Sequence, residues 1–378
     1  MSSLTCDALN TDECAARMKQ DLRVTLNMSE VELTPIRPGH EFDISRVDRY
    51  MREHVSGYRG PFSVLQFEGG QSNPTFLLET PSRRYVLRKQ PPGELLPSAH
   101  AVDREYSVMA ALHKTEVPVP EMLALCEDTD VIGTKFYIMS MVEGRLYTKT
   151  ALPALPIEER SVVYHDMARI LASLHRVDPI AVGLETFGRP GNYFARQVSR
   201  WSRQYQASET ESIEAMNQLI DWLPAHLPDE TPPVIVHGDF RLGNVLLHET
   251  EPKVIAVLDW ELSTLGDGLA DLGYWCQEYY GEQSEKPGGI AGVDLATIGI
   301  PNEQEVIQTY CHYYGSETID NWLFYVIYNL FRSAGIIQGV YKRGLDGNAS
   351  SETALEYEGV ARKRSELAWQ LVEQFSNN

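Results

Sequence analysis

Cysteine is scarce in this chain of 378 residues: Cys6, Cys14, Cys126, Cys276 and Cys311 are odd in number, widely spread, and include no CxxC pair. A disulfide framework or a zinc knuckle needs closely spaced thiols, so neither is expected. Long apolar runs are missing as well. The longest nearly apolar stretch, Trp322 to Leu330, falls far short of the ~20 residues that span a bilayer, so no membrane partner is expected. Basic residues are in deficit, with 33 Lys and Arg against 53 Asp and Glu and a formal net charge of −20. Such a chain lacks the basic patches that grip a phosphate backbone, which excludes nucleic acid as a general partner. No G-x-x-x-x-G-K-[ST] segment occurs, so a P-loop is excluded. The first thirty residues have no apolar segment and carry Asp7, Asp12, Glu13, Asp21 and Glu30, unlike a signal or transit peptide. The C-terminal Phe375-Ser376-Asn377-Asn378 matches no lipidation or peroxisomal address, and a cytoplasmic location is expected.

What is present suits a folded chain. Hydrophobic residues make up 43% and there are 19 Tyr, which argues against disorder. Residues 1–40 read as a leader and linker ending at Pro35-Ile36-Arg37-Pro38-Gly39. Ile44–His54 reads as an amphipathic helix. Strand-like runs follow at 62–67, 75–79, 84–89 and 135–142, with one helix at 98–113 capped by Ser98. After Gly144 the pattern turns helical, over 158–176, 193–226, 303–314, 321–341 and 351–375. Short apolar runs at 234–237 and 254–259 interrupt it. Strands early and helices late predict an α+β chain of two lobes, with an N-lobe over 41–141 and a C-lobe over 142–378.

The most specific motif is His237-Gly238-Asp239-Phe240-Arg241-Leu242-Gly243-Asn244, set between the apolar runs Val234-Ile235-Val236 and Val245-Leu246-Leu247. An Asp and an Asn five residues apart on such a loop match the kinase pattern H-x-D-x-x-x-x-N. Phosphoryl transfer requires a carboxylate that accepts a hydroxyl proton and an oxygen that holds a metal ion. Val257-Leu258-Asp259-Trp260-Glu261 follows, placing a second carboxylate at a strand end. Asn244 and Asp259 are the expected ligands of Mg²⁺, a cation that prefers oxygen. Taken singly, a His-x-Asp is an ordinary loop pair and a strand-end Asp an ordinary turn cap. The order and spacing of the set carry the reading.

These residues, with Gly69-Gly70-Gln71-Ser72-Asn73-Pro74-Thr75, Tyr85-Val86-Leu87-Arg88-Lys89-Gln90-Pro91-Pro92-Gly93 and Val117-Pro118-Val119-Pro120, resemble the aminoglycoside phosphotransferase, or choline kinase-like, family. The branch is similar to the kinase-like domain found next to acyl-CoA dehydrogenases, and the resemblance covers about residues 40–375. It implies a bilobal protein-kinase-like fold that binds ATP and Mg²⁺ and phosphorylates a small-molecule hydroxyl acceptor.

Within that resemblance, Gly69, Gly70, Gln71, Ser72 and Asn73 form a hairpin turn over the phosphates, although an ordinary glycine-rich hairpin has the same pattern. Arg88 is the phosphate cation, with Lys89 as its competitor on the opposite face of the strand. Glu105, on the apolar stripe of Val102, Tyr106 and Met109, needs a cation and is expected to bridge to Arg88. Met141 marks the inter-lobe hinge, with Val86 and Met139 walling the base. Arg241 faces the transferred phosphoryl group, His237 braces the loop, Asp271 anchors it, and Asp267 caps a turn. Glu261 lies near the metal site with its direction open. Arg332, on an otherwise apolar helix, either binds an anionic acceptor group or pairs with Asp271 or Glu261. Gly288-Gly289-Ile290-Ala291-Gly292 is expected to be a flexible loop over the acceptor pocket. The resemblance suggests a hydroxy-acid or hydroxy-acyl acceptor.

Two other readings use the same residues. One is a non-catalytic nucleotide-binding module, and the other a metal-dependent hydrolase with His237, Asp239 and Asp259 as ligands. The acidic excess lies mainly in residues 142–378, which hold 33 acids and 18 bases.

Overall fold

The computed structural model describes residues 32–68, 73–91, 100–284, 288–347 and 352–375. Its first part is a six-stranded antiparallel sheet with a helix on each face. In chain order these elements are β1 (Leu33–Thr34), α1 (Ile44–His54), β2 (Ser63–Phe67), β3 (Thr75–Glu79), β4 (Arg84–Lys89), α2 (Val102–Leu112), β5 (Met122–Cys126) and β6 (Phe136–Ser140), and the strand order is β1-β2-β3-β4-β6-β5. Two features differ from the sequence reading. Leu33–Thr34, assigned to a linker, is an edge strand paired with β2, and Met122–Cys126 is a strand that was not anticipated. Pro118 and Pro120 mark an extended connection, and the short apolar run just after them pairs with β6. Helix α2 begins at Val102 with no side-chain cap, and Ser98 lies outside the described residues.

Strand alternation sorts the sheet's side chains. Tyr85 and Leu87 of β4 point toward α1, joining Val47, Met51, Phe76 and Phe136 in one apolar cluster. Val86 and Arg88 point the other way, into the cleft.

The rest of the chain is mainly helical: β7 (Arg145–Leu146), α3 (Ile157–His175), α4 (Tyr193–Ser208), α5 (Glu214–Trp222), β8 (Val234–Val236), β9 (Val245–Leu247), β10 (Val254–Val257), β11 (Thr264–Gly266), α6 (Leu269–Cys276), α7 (Leu295–Ile298), α8 (Glu303–Tyr314), α9 (Trp322–Leu345) and α10 (Val360–Phe375). The helix expected over 193–226 is two helices. Gln338 Nε2 donates to the Ser208 carbonyl and to Thr210 Oγ1, satisfying the chain where it turns. The helix expected over 351–375 is also broken, with a 3₁₀ turn at Glu352–Tyr357 and Gly359 at φ +72° before α10.

Three short ladders position the site. β8 pairs with β11, and β9 lies between β7 and β10. The loop from β8 to β9 carries His237–Asn244, and Asp259 follows two residues after β10. One core runs from Val102 and Met109 of α2 through Tyr137 of β6 to Ile235, Phe240, Val257 and Trp275, so the loop rests on the same packed layer as the sheet. None of the described helices is long and apolar enough to cross a membrane.

Candidate active site between sheet and helices

A cavity of about 540 Å³ opens between the sheet and the β9–β10 region. Val86, Met139 and Met141 line its sheet side, and Gly243, Asn244, Leu246 and Asp259 line the other. Arg88 and Glu105 form its inner end. The structure therefore separates the two candidate cations. Arg88 faces the cleft. Lys89 is 2% exposed on the opposite face, where burial lowers its pKa.

Arg88 holds together three carboxylates. Its Nε lies 2.9 Å from Glu105 Oε2, its Nη2 3.0 Å from Asp259 Oδ1, and the same nitrogen 3.5 Å from Glu261 Oε2. Burial opposes its charge, but Glu105, Tyr137 and Asp259 outweigh that and raise its pKa. Glu105 is 1% exposed and accepts hydrogen bonds from Asn73 Nδ2 at 2.7 Å and the Tyr137 hydroxyl at 3.0 Å. Burial raises its pKa, with Arg88 pulling the other way. The expected Arg88–Glu105 bridge is present. The Asn73 side chain is tied to Glu105 and His100 rather than free to meet phosphate. Gly69, Gly70, Gln71 and Ser72 lie outside the described residues. Sequence reasoning missed Tyr137, although its alternation with Met139 along β6 and with Met141 just past it was a usable signal. The Met141 N–H donates to the Arg84 carbonyl at 3.4 Å.

The loop on the other side is fixed from several directions. Asn244 Nδ2 donates to Asp239 Oδ2 and to the Asp239 carbonyl, each at 2.8 Å. With the amide nitrogen so used, its Oδ1 remains as a donor atom for a cation. Arg241 Nε lies 3.4 Å from Asp239 Oδ1. His237 Nε2 bonds the Leu258 carbonyl at 2.8 Å, and its Nδ1 accepts the Asp239 N–H at 3.1 Å. Both ring nitrogens are therefore engaged, which removes His237 as a metal ligand and with it the ligand set of the hydrolase reading. Asp271, fully buried, accepts the His237 and Gly238 N–H groups at 2.6 and 2.8 Å. Burial works against its charge, but His175, His237 and the Gly238 N–H hold its pKa below the ordinary value. Gly238 at φ +87° makes this possible, because a side chain there would meet the Leu262 carbonyl at 2.7 Å. Asp267 accepts the Leu269 N–H at 2.9 Å, the turn cap expected of it. Asp259 itself takes a left-handed conformation, φ +66°, which turns the chain straight after β10.

Arg332 lies behind the loop. Its Nη2 donates to the Gly238 carbonyl, and its guanidinium sits 4.7 Å from the Tyr274 ring centroid and 5.4 Å from that of Trp201. It makes no ion pair with Asp271 or Glu261, so the structural pairing considered for it is not what the structure contains. Tyr274 and Glu278 were not singled out from sequence. Burial raises the Tyr274 pKa and Asp239 adds to that. Burial pushes Glu278 up to about 7 against the pull of Arg241, and its Oε2 is enclosed without a hydrogen-bond partner. Neither residue lies in a motif: Tyr274 is carried by the last turn of α6 and Glu278 by the 3₁₀ turn that follows it. The 288–292 segment is not a free lid. Ile290 packs in the core, and the N–H groups of Gly289, Ile290 and Ala291 bond Glu282, Glu278 and Gly281. The glycines suggested freedom that Ile290, by burying itself, removes.

A family model for the Phosphotransferase enzyme family matches residues 63–322, which include both sides of this cavity. The chain belongs to that family. Acyl-CoA dehydrogenase family member 10 of Mus musculus is 44% identical over 346 residues, covering 91% of this chain but 32% of its own length. The chain thus spans about a third of that relative. A solved candidate aminoglycoside phosphotransferase from Ralstonia eutropha is 48% identical with a TM-score of 0.81, over 88% of this chain and 99% of that one. Spectinomycin phosphotransferase, solved with ADP and spectinomycin, shares the fold at a TM-score of 0.58 and 13% identity, over 89% of this chain and 99% of that one. The family's kinase-like α+β fold is the fold of this chain.

Proposed function

We propose that the protein transfers the γ-phosphoryl group of ATP to a hydroxyl group of a small-molecule metabolite. The observation that carries this is that Arg88, held by Glu105, lines one cavity together with Asn244 and Asp259, while Asn244 donates to the Asp239 carboxylate. ATP lies in the cavity with its base between Val86, Met139 and Met141 and its α- and β-phosphates toward Arg88. Asp239 orients the acceptor hydroxyl and takes its proton as the acceptor oxygen bonds to the γ-phosphorus. The bond from that phosphorus to the β,γ-bridging oxygen breaks, and ADP leaves. Arg241 offsets charge on the transferring group. Asn244 Oδ1 and the Asp259 carboxylate are hard oxygen donors and suit Mg²⁺, whose chemistry is to neutralise phosphate charge. Positioning and electrostatics supply most of the rate in such a site.

The acceptor is a hydroxy-acid or hydroxy-acyl compound on this reading. Arg332 supports an anionic acceptor, being a buried cation beside Asp239 with no carboxylate within ion-pair distance among the described residues. Similarity to a segment of proteins named as acyl-CoA dehydrogenase family members points the same way. The test is a screen of hydroxy acids, hydroxyacyl thioesters, amino alcohols and aminoglycosides for ADP release from Mg-ATP. Stimulation by a hydroxylated acid supports the reading. ATP binding without stimulation by any hydroxyl compound would instead support a non-catalytic nucleotide module.

A further inference from the structure

The family match begins at residue 63, yet the chain before it reaches the cavity. Glu32 lines the cavity wall beside Phe67 and Glu68. Leu33 and Thr34 pair with Phe67 and Gln66, and the Glu68 N–H donates to the Glu32 carbonyl at 2.9 Å. The chain then reverses in a tight turn, Arg37-Pro38-Gly39-His40. The His40 N–H bonds the Arg37 carbonyl at 3.0 Å, and Gly39 has φ +83°. Pro at the second position and a left-handed Gly at the third are the requirements of a type II turn.

The turn returns the Arg37 side chain to β2, where its Nη2 donates to the carbonyls of both Phe67 and Glu68. Gln66, 2% exposed, is spent on the same segment. Its Oε1 accepts the Arg37 N–H at 2.9 Å, and its Nε2 meets His40 Nδ1 at 2.7 Å. Phe42 anchors the far end edge-on against Phe76, 5.0 Å between centroids.

We infer that residues 32–40 are a working part of the nucleotide site, a strap in which Arg37 is a positioning residue that fixes the Phe67–Glu68 wall. This rests on the nucleotide reading of the cavity given above. The physical reason is that β2 would otherwise be an edge strand whose terminal carbonyls face water. Edge segments with solvent-exposed backbone bonds open most easily. Binding a nucleotide against a fraying wall costs the ordering of that wall, and the strap has already ordered it.

The experiment is calorimetric titration of the full chain with ADP and Mg²⁺, alongside the melting temperature of the free protein. Arg37→Ala is expected to weaken ADP binding about five- to tenfold with little change in melting temperature, and Arg37→Lys to recover part of the loss. Gly39→Ala is the second variant. Its added Cβ meets nothing within 4 Å, so only the turn is strained, and the same direction of change is expected. Arg46→Ala, which removes the exposed contacts of α1 to Asp43 and to the Asp130 carbonyl in the β5–β6 connection, should bind as the parent does. ADP affinity unchanged in both Arg37→Ala and Gly39→Ala would overturn the strap. Absence of ADP binding by the unaltered chain would overturn the nucleotide reading itself, and the strap with it.

Discussion

Asn244 donates its side-chain amide to both the carboxylate and the backbone carbonyl of Asp239, at 2.8 Å in each case. One residue thus aims the proposed base and keeps its remaining side-chain oxygen out of that contact. Asn244→Ala is expected to lower turnover about 10–100-fold and to raise the Mg²⁺ concentration needed for half-maximal rate. A magnesium titration of ADP release checks both effects. Reduced turnover with an unchanged magnesium requirement would remove Asn244 from the metal site.

Asp239→Asn keeps the shape of the loop but cannot take a proton. Turnover should fall by ~10²–10⁴ while the ATP-induced rise in melting temperature is retained. Full activity in this variant would end the proposed mechanism.

Gly238 holds a left-handed backbone with its α-carbon packed under the Leu262 carbonyl. Gly238→Ala should cost about 2 kcal/mol in urea unfolding, from the conformation alone, with more from the contact. It should also displace the two N–H groups that Asp271 holds.

Asp271 gives a stability change with a defined sign. Its folded pKa is lowered, so its contribution is full above the unfolded value of ~3.9 and is lost as the pH falls through the lower folded value. Asp271→Asn should cost about 3 kcal/mol at neutral pH and flatten the acid limb of the stability curve. Urea midpoints between pH 2 and 7 test this.

Glu278 has the opposite sign. A folded pKa of about 7 means the folded state binds the extra proton, so this residue's contribution falls as the pH rises from its unfolded value toward 7. Glu278→Gln should match the parent near pH 4.5 and exceed it in stability at pH 8. The surrounding Arg241, Thr150, Arg364 and Asp239 should be little disturbed by this near-isosteric change. Equal stability of the two proteins at pH 8 would contradict it.

The reach of the sequence follows physical range. His237–Asn244 and Asp259 were legible because loop spacing is a local property, whereas strand alternation placed Arg88 and Lys89 on opposite faces without saying which of them meets the cleft. Glu105 was legible through helical period, since a carboxylate on an apolar stripe demands a cation. The break after Ser208 was not legible, because Gln338, 130 residues away, satisfies it. Nor was the anchoring of Ile290, since glycine content speaks of freedom and burial decides otherwise.

By itself, then, the sequence determined the α+β order of strands before helices, the His237–Asn244 loop proposed as catalytic and the carboxylate that follows it, all set by contiguous residues. It also determined the acidic charge balance. Only the tertiary structure decided that Arg88 and not Lys89 meets the cleft, and that Asn73 serves Glu105. It alone placed Arg332 on the Gly238 carbonyl and strapped residues 32–40 to the cavity wall. Each of these turns on which distant group satisfies a buried charge or an open backbone, and that becomes fixed only when the chain closes on itself.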